Sequence, residues 1–108
     1  MGKPEGSIGE TKLKILAILH NDEAIGTASY GYGVWETMND KFYSSLGEDG
    51  LRNIYHHLRE LHSLSLIEKG TVQAAEKAPE RHTYRLTNKG RQLRNKYEKY
   101  LKPFQKYN

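Results

Sequence analysis

The chain has 108 residues, with 17 Lys and Arg against 13 Asp and Glu, for a formal net charge of +4. A chain of this length forms one domain with its own core, too small for a large barrel or a two-domain nucleotide-binding enzyme. It holds no cysteine, which excludes disulfides, thiolate metal sites and cysteine nucleophiles; no apolar run approaches the ~20 residues of a membrane helix, the first nine residues lack a signal peptide's apolar stretch, and a soluble cytoplasmic protein is expected.

Residues 1–9 are a loose, Gly-rich leader. From Glu10 the pattern changes: Leu13, Leu16, Ala17 and Leu19 recur at helical spacing, and Ile15 and Ile18 widen the stripe. This predicts a helix over 10–20, starting near Ser7 or Gly9 and apolar around most of its girth, hence central in the core. Residues 21–29 have loop chemistry. Val34, Trp35, Met38 and Phe42 then share one face of a helix over 30–42, with Ser29 as its cap. Gly31 beneath that face either admits another helix closely or marks an irregular helix start.

YSSLGEDG is a turn. Leu51, Ile54, Leu58 and Leu61, at steps of three, four and three, form the clearest amphipathic stripe in the chain, on a helix capped by Asp49 or Gly50. Residues 66–73 and 81–87 read as two short strands; in the second, His82, Tyr84 and Leu86 alternate with Arg81, Thr83 and Arg85. Thr87 caps a last helix whose apolar positions, Leu93, Tyr97, Tyr100, Phe104 and Tyr107, follow the seam of a coiled coil for about two heptads. Pro103 disfavours helix at Lys102.

The order helix, helix, helix, strand, strand, helix is mainly α with a small β-hairpin. It is the outline of a winged helix-turn-helix, in which the third helix enters the DNA major groove and the ribbon flanks it. The expected organisation is a leader over 1–9, a winged-helix DNA-binding domain over 10–87 and a C-terminal dimerisation helix over 88–108. Charge divides along the same line. Residues 1–51 carry four Lys and eight acids; residues 52–108 carry thirteen cations and five acids. A basic C-terminal half suits a polyanion partner.

On a wheel of about 100° per residue, His56 lies opposite the stripe of the third helix, Arg52, Asn53 and Arg59 lie outside it, and Tyr55 flanks it. Arg pairs with guanine and Asn with adenine through two hydrogen bonds each. Arg52, Asn53 and His56 are the candidates for bases, with Tyr55 and Arg59 nearer phosphates. Ser44 and Ser45 in the turn can also donate to phosphate. In the wing, Lys77 and Arg81 near the tip are the preferred contacts, with Lys69 and Arg85 behind them. Glu36 and Asp40 work against this reading, because an acidic outer face on the second helix repels DNA. That helix must either approach by its N-terminal end or make limited contact.

Dimerisation is assigned to Leu93, Tyr97, Tyr100, Leu101 and Phe104, the alternative being that this helix packs back on its own domain. Five histidines raise metal binding, but His56 points outward, His62 lies at the core edge, and no carboxylate sits at a zinc spacing. No phosphate-binding loop or nucleophile–base pair is legible, so neither catalysis nor a cofactor is expected. Trp35, the one candidate aromatic surface for a small molecule, is read as core.

Two motifs carry a family resemblance. IYHHLRELHSLSLIEK (54–69) and HTYRLTNKGRQL (82–93) resemble PadR-like transcriptional regulators, through Ile54-Tyr55, Leu58, Arg59, Leu61, Leu66-Ile67, and then Tyr84-Arg85-Leu86-Thr87 before Lys89-Gly90-Arg91. YGYGVWETM resembles the family's second helix through Gly31 and Tyr32, and LKILAIL fits its first. Tyr30, His56 and Ser65 depart from the family's usual His, Pro and Gly. The resemblance implies a homodimeric DNA-binding repressor, often one that releases DNA on binding a small-molecule effector. Two other functions share the fold: a winged-helix module that binds protein, and a sequence-neutral architectural DNA-binding protein.

Overall fold

The computed structural model of the chain describes residues 8–42, 48–73 and 80–105, and of residues 48, 49, 71–73, 80 and 81 the backbone alone. Helix α1 (Glu10–Ala24) runs one turn further than the apolar stripe predicts. Its Ile15, Leu16, Ala17, Ile18 and Leu19 are fully buried. A helix buried on nearly all sides needs partners on all sides, and the rest of the chain is wrapped around it. Helix α2 (Gly31–Lys41) adds Val34 and Met38 to the core, and helix α3 (Glu48–Ser63) adds Ile54, Leu58 and Leu61.

Two expected caps are absent. Ser29 does not cap α2: its Oγ donates to Asp22 Oδ2 at 2.7 Å, and it lies in a short strand β1 (Ser29–Tyr30), leaving Tyr30 as N-cap with no side-chain bond. Helix α3 begins at Glu48, so Asp49 and Gly50 are inside its first turn.

Strands β2 (Ile67–Gln73) and β3 (Glu80–Leu86) form the antiparallel ribbon, in register from Ile67 opposite Leu86 to Gln73 opposite Glu80. The sheet has three strands, not two. β1 pairs with β3, Ser29 facing Tyr84 and Tyr30 facing Thr83, so β3 is central. A two-residue strand has no period to read, which is why sequence pattern passes over it.

The C-terminal segment departs most from expectation. Thr87 does cap it, accepting from Gly90 N at 3.0 Å. There follow α4 (Asn88–Arg91), α5 (Arg94–Tyr97) and a 3₁₀ helix (Glu98–Phe104) in place of one straight helix. The bends turn the apolar side chains onto α1. Tyr97 is 0% exposed and hydrogen-bonded to His20 Nδ1 at 2.9 Å, and Leu101 is buried in the same core. The seam reading fails for both: they are core residues of this chain, packed against the apolar flank of α1. Leu93, Tyr100 and Phe104 stay partly exposed. Phe42 packs edge-on against Tyr100 and Phe104, and the Lys14 ammonium lies 5.3 Å from the centre of the Phe42 ring.

Candidate nucleic-acid interface

Helix α3 sorts its side chains by face. Ile54, Leu58 and Leu61 enter the core, while Arg52, Asn53, Tyr55, His56 and Arg59 are exposed. Arg52 and Asn53 have no side-chain partner among the described residues, and the side chains of Glu48 and Asp49, one turn earlier on α3, lie outside those described. His56 Nε2 lies 3.4 Å from Glu60 Oε1. The same carboxylate pairs with Lys12 of α1 at 2.7 Å, and Lys12 donates to His57 Nδ1 at 3.0 Å. The Lys12 ammonium holds the Glu60 carboxyl below its usual range, first through that hydrogen bond and then through its charge. Glu60 thus ties α3 to α1 and orients His56. Its spacing of four residues from His56 is legible in sequence; its link to Lys12 is not.

The histidines divide differently from expectation. His56 is exposed, but so is His62, which the wheel placed at the core edge. The partly buried pair is His20 and His57. Burial of His20, followed by the Arg94 charge, lowers its pKa from 6.5.

Beside α3 stands the ribbon. Lys69 is exposed, and Arg85 Nε pairs across the strands with Glu68 Oε1 at 3.0 Å. Of the two preferred wing residues, Arg81 is in β3 opposite Val72 with only its backbone described, and Lys77 lies outside the described residues, as do Ser44 and Ser45. At the base of the ribbon Tyr84 is buried. Burial raises its hydroxyl pKa, Tyr55 adds to the rise and Arg59 opposes it. Sequence alternation places Tyr84 on the ribbon.

Helix α2 presents Glu36 and Asp40 to solvent on its flank and Tyr32, 53% exposed, in its first turn. The Tyr32 ring is stacked at a tilt on Trp35, centroids 5.3 Å apart. Trp35 packs against the core, as its place in the stripe predicts, and its buried indole N–H has no partner among the described residues. Tyr55 is one contact between α2 and α3: a Cβ on Gly31 would overlap its ring. Gly31 therefore serves close approach. Among the described residues no helix is long and apolar enough to cross a membrane.

A family model, HxlR-like helix-turn-helix, matches residues 44–107, from the turn before α3 through the wing and the C-terminal segment. No curated protein is significantly similar in sequence. Among solved structures, a PadR-like transcriptional regulator from Bacillus cereus aligns with TM-score 0.62 and 22% identity over 82% of this chain and 77% of its own. A PadR family transcription regulator from Clostridium difficile aligns with TM-score 0.57 and 22% identity over 89% of this chain and 98% of its own. RosR from H. salinarum aligns with TM-score 0.62 and 19% identity, covering 95% and 83%. At such identities the likeness is one of fold. The PadR-like resemblance is borne out in the winged-helix architecture, and the family matched by sequence is the HxlR-like one.

Proposed function

The chain belongs to the HxlR-like helix-turn-helix family of transcriptional regulators, and from that membership we propose that it is a cytoplasmic repressor that reads duplex DNA as a homodimer. Helix α3 enters the major groove, with Arg52, Asn53 and His56 at base edges and Tyr55 and Arg59 at phosphates. Ser44 and Ser45 reach the backbone from the turn, and Lys77 and Arg81 of the wing reach phosphates or the minor groove. Helix α2 approaches by its N-terminal end, which keeps Glu36 and Asp40 away from the duplex. Two copies read half-sites about one turn apart, roughly 34–36 Å. A small-molecule effector is implied by the family resemblance alone.

The observation that carries this reading is the exposed pair Arg52 and Asn53, without a side-chain partner among the described residues, opposite the buried Ile54, Leu58 and Leu61 and beside a ribbon that carries Lys69 and Arg85. Selection from a random duplex pool, followed by fluorescence anisotropy on the selected site, tests it. Affinity should fall steeply with salt, by about a thousandfold between ~50 and ~200 mM if some six phosphates are contacted. Arg52→Ala should cost about 1–3 kcal/mol at one base position and relax preference there, whereas Lys77→Ala should weaken all sequences alike. No binding to any duplex, or binding indifferent to salt, overturns the reading. Equal affinity for every duplex selects an architectural role instead. The acidic flank at Glu36 and Asp40 favours one rival, a protein-binding winged helix; such a module keeps its partner when Arg52, Lys77 and Arg81 lose their charges.

A further inference from the structure

Tyr55 is held by a notch that one missing side chain creates. It projects from α3 toward α2, and the atoms nearest an added Gly31 Cβ are its Cε1, Cζ and Cδ1. The hydroxyl-bearing carbon Cζ would lie 2.6 Å from that Cβ, closer than any real Cβ contact. Gly31 is the first residue of α2 and is buried, whereas Tyr55 remains 41% exposed. One edge of the ring, Cε1 and Cζ, fills the space above the glycine, while the residue stays partly exposed on a helix whose Arg52, Asn53 and Arg59 are also exposed.

A phenol seated this way has little rotamer freedom to lose when it meets an outside acceptor. Pre-organisation of that kind raises affinity by lowering the entropic cost of ordering a side chain. Gly31 itself touches nothing outside the protein. Its work is done through Tyr55.

We propose that Gly31 is a positioning residue for DNA binding, and that it acts by seating the Tyr55 hydroxyl at the depth where it donates to a backbone phosphate. The proposal rests on the DNA-binding reading above. Any side chain at position 31 displaces the ring and withdraws the hydroxyl from that phosphate, while the base-reading residues Arg52 and Asn53, in the turn of α3 before Tyr55, keep their places. The loss is then in general affinity and not in sequence preference.

A double-mutant cycle on the full chain tests this, with anisotropy on the selected duplex as one readout and thermal melting as the other. Tyr55→Phe, which removes only the hydroxyl, should weaken binding about tenfold or more, the worth of a hydrogen bond to a charged group. Gly31→Ala should lose a similar factor. The decisive variant is Gly31→Ala combined with Tyr55→Phe: it should bind within about twofold of Tyr55→Phe alone, because the hydroxyl it misplaces is already gone. A purely structural glycine would behave otherwise, since Phe keeps the ring and the overlap, and the two losses would multiply. That multiplication overturns the proposal, as does Gly31→Ala binding like wild type. Should Gly31→Ala alone melt too low to assay, the cycle runs on Tyr55→Ala, where the ring is absent and the alanine fits. Equal affinity of Tyr55→Ala with and without Gly31→Ala is expected there, and a further tenfold loss overturns the proposal. The two readings fail separately. If Tyr55→Phe binds like wild type while Arg52→Ala does not, the positioning role falls and DNA binding stands; if wild type binds no duplex, DNA binding itself falls.

Discussion

Ser65 has φ of +62°, the one non-glycine residue among those described in the left-handed region. It ends α3. Leu66 N donates to Leu61 O and Ser65 N to His62 O, each at 3.0 Å, the paired bonds of a Schellman cap. The buried side chains of Leu61 and Leu66 complete the motif. An L side chain in this region costs about 1–2 kcal/mol, which glycine avoids while giving back part through its freer unfolded chain. Ser65→Gly should therefore stabilise the fold by about 0.5–1 kcal/mol, seen as a rise of about 2–8 °C in melting temperature. A variant that melts at or below the wild-type temperature contradicts this. The position was legible in sequence as a serine where a PadR-like chain usually has glycine. The positive φ was not, because serine adopts either conformation.

Elements show where local pattern suffices and where it does not. α1, α2, α3 and the two ribbon strands lie within a few residues of their predicted bounds, since each carries an apolar period long enough to count. The C-terminal segment carries an equally good period and is used differently. Its steps of four and three describe a stripe, and a stripe does not say which surface covers it. Here α1 does so, through Tyr97 and His20, and through Glu23, which pairs with Arg91 at 2.5 Å and accepts from Leu86 N at 3.0 Å. Gly90 lets α4 lie close against the start of the ribbon: a Cβ there would overlap the Leu66 carbonyl oxygen. The partly buried His20 imidazole makes this contact pH-sensitive. A histidine whose folded pKa is depressed favours the fold when neutral, so its contribution is complete above 6.5 and is lost as pH falls below it. The melting temperature should drop between about pH 7 and about pH 5.5, and drop less in His20→Gln. An unchanged slope in the variant removes His20 from that account.

At the scale of the whole molecule the open matter is assembly. With Tyr97 and Leu101 in the core, a dimer through this segment has, among the described residues, Leu93, Tyr100 and Phe104 to use. Sedimentation velocity at micromolar concentration should show a dimer, and Tyr100→Ala should shift it toward monomer without unfolding the chain. A wild-type monomer at that concentration removes the homodimer from the proposed function and leaves each copy to bind a single half-site.

The net charge of +4 is the sum of an acidic half and a strongly basic one, and the fold ties them together through Lys12–Glu60 and Glu23–Arg91. Sequence alone determined the winged-helix order, the buried stripes and the exposed set Arg52, Asn53, His56 and Arg59 on α3, because these depend on local spacing and on which faces must leave water. Only tertiary structure decided the third strand, the Lys12–Glu60 tie, the Tyr55–Gly31 notch and the return of the C-terminal segment to its own core. Those are contacts between residues distant in the chain, and a one-dimensional pattern shows that a surface must be covered without showing what covers it.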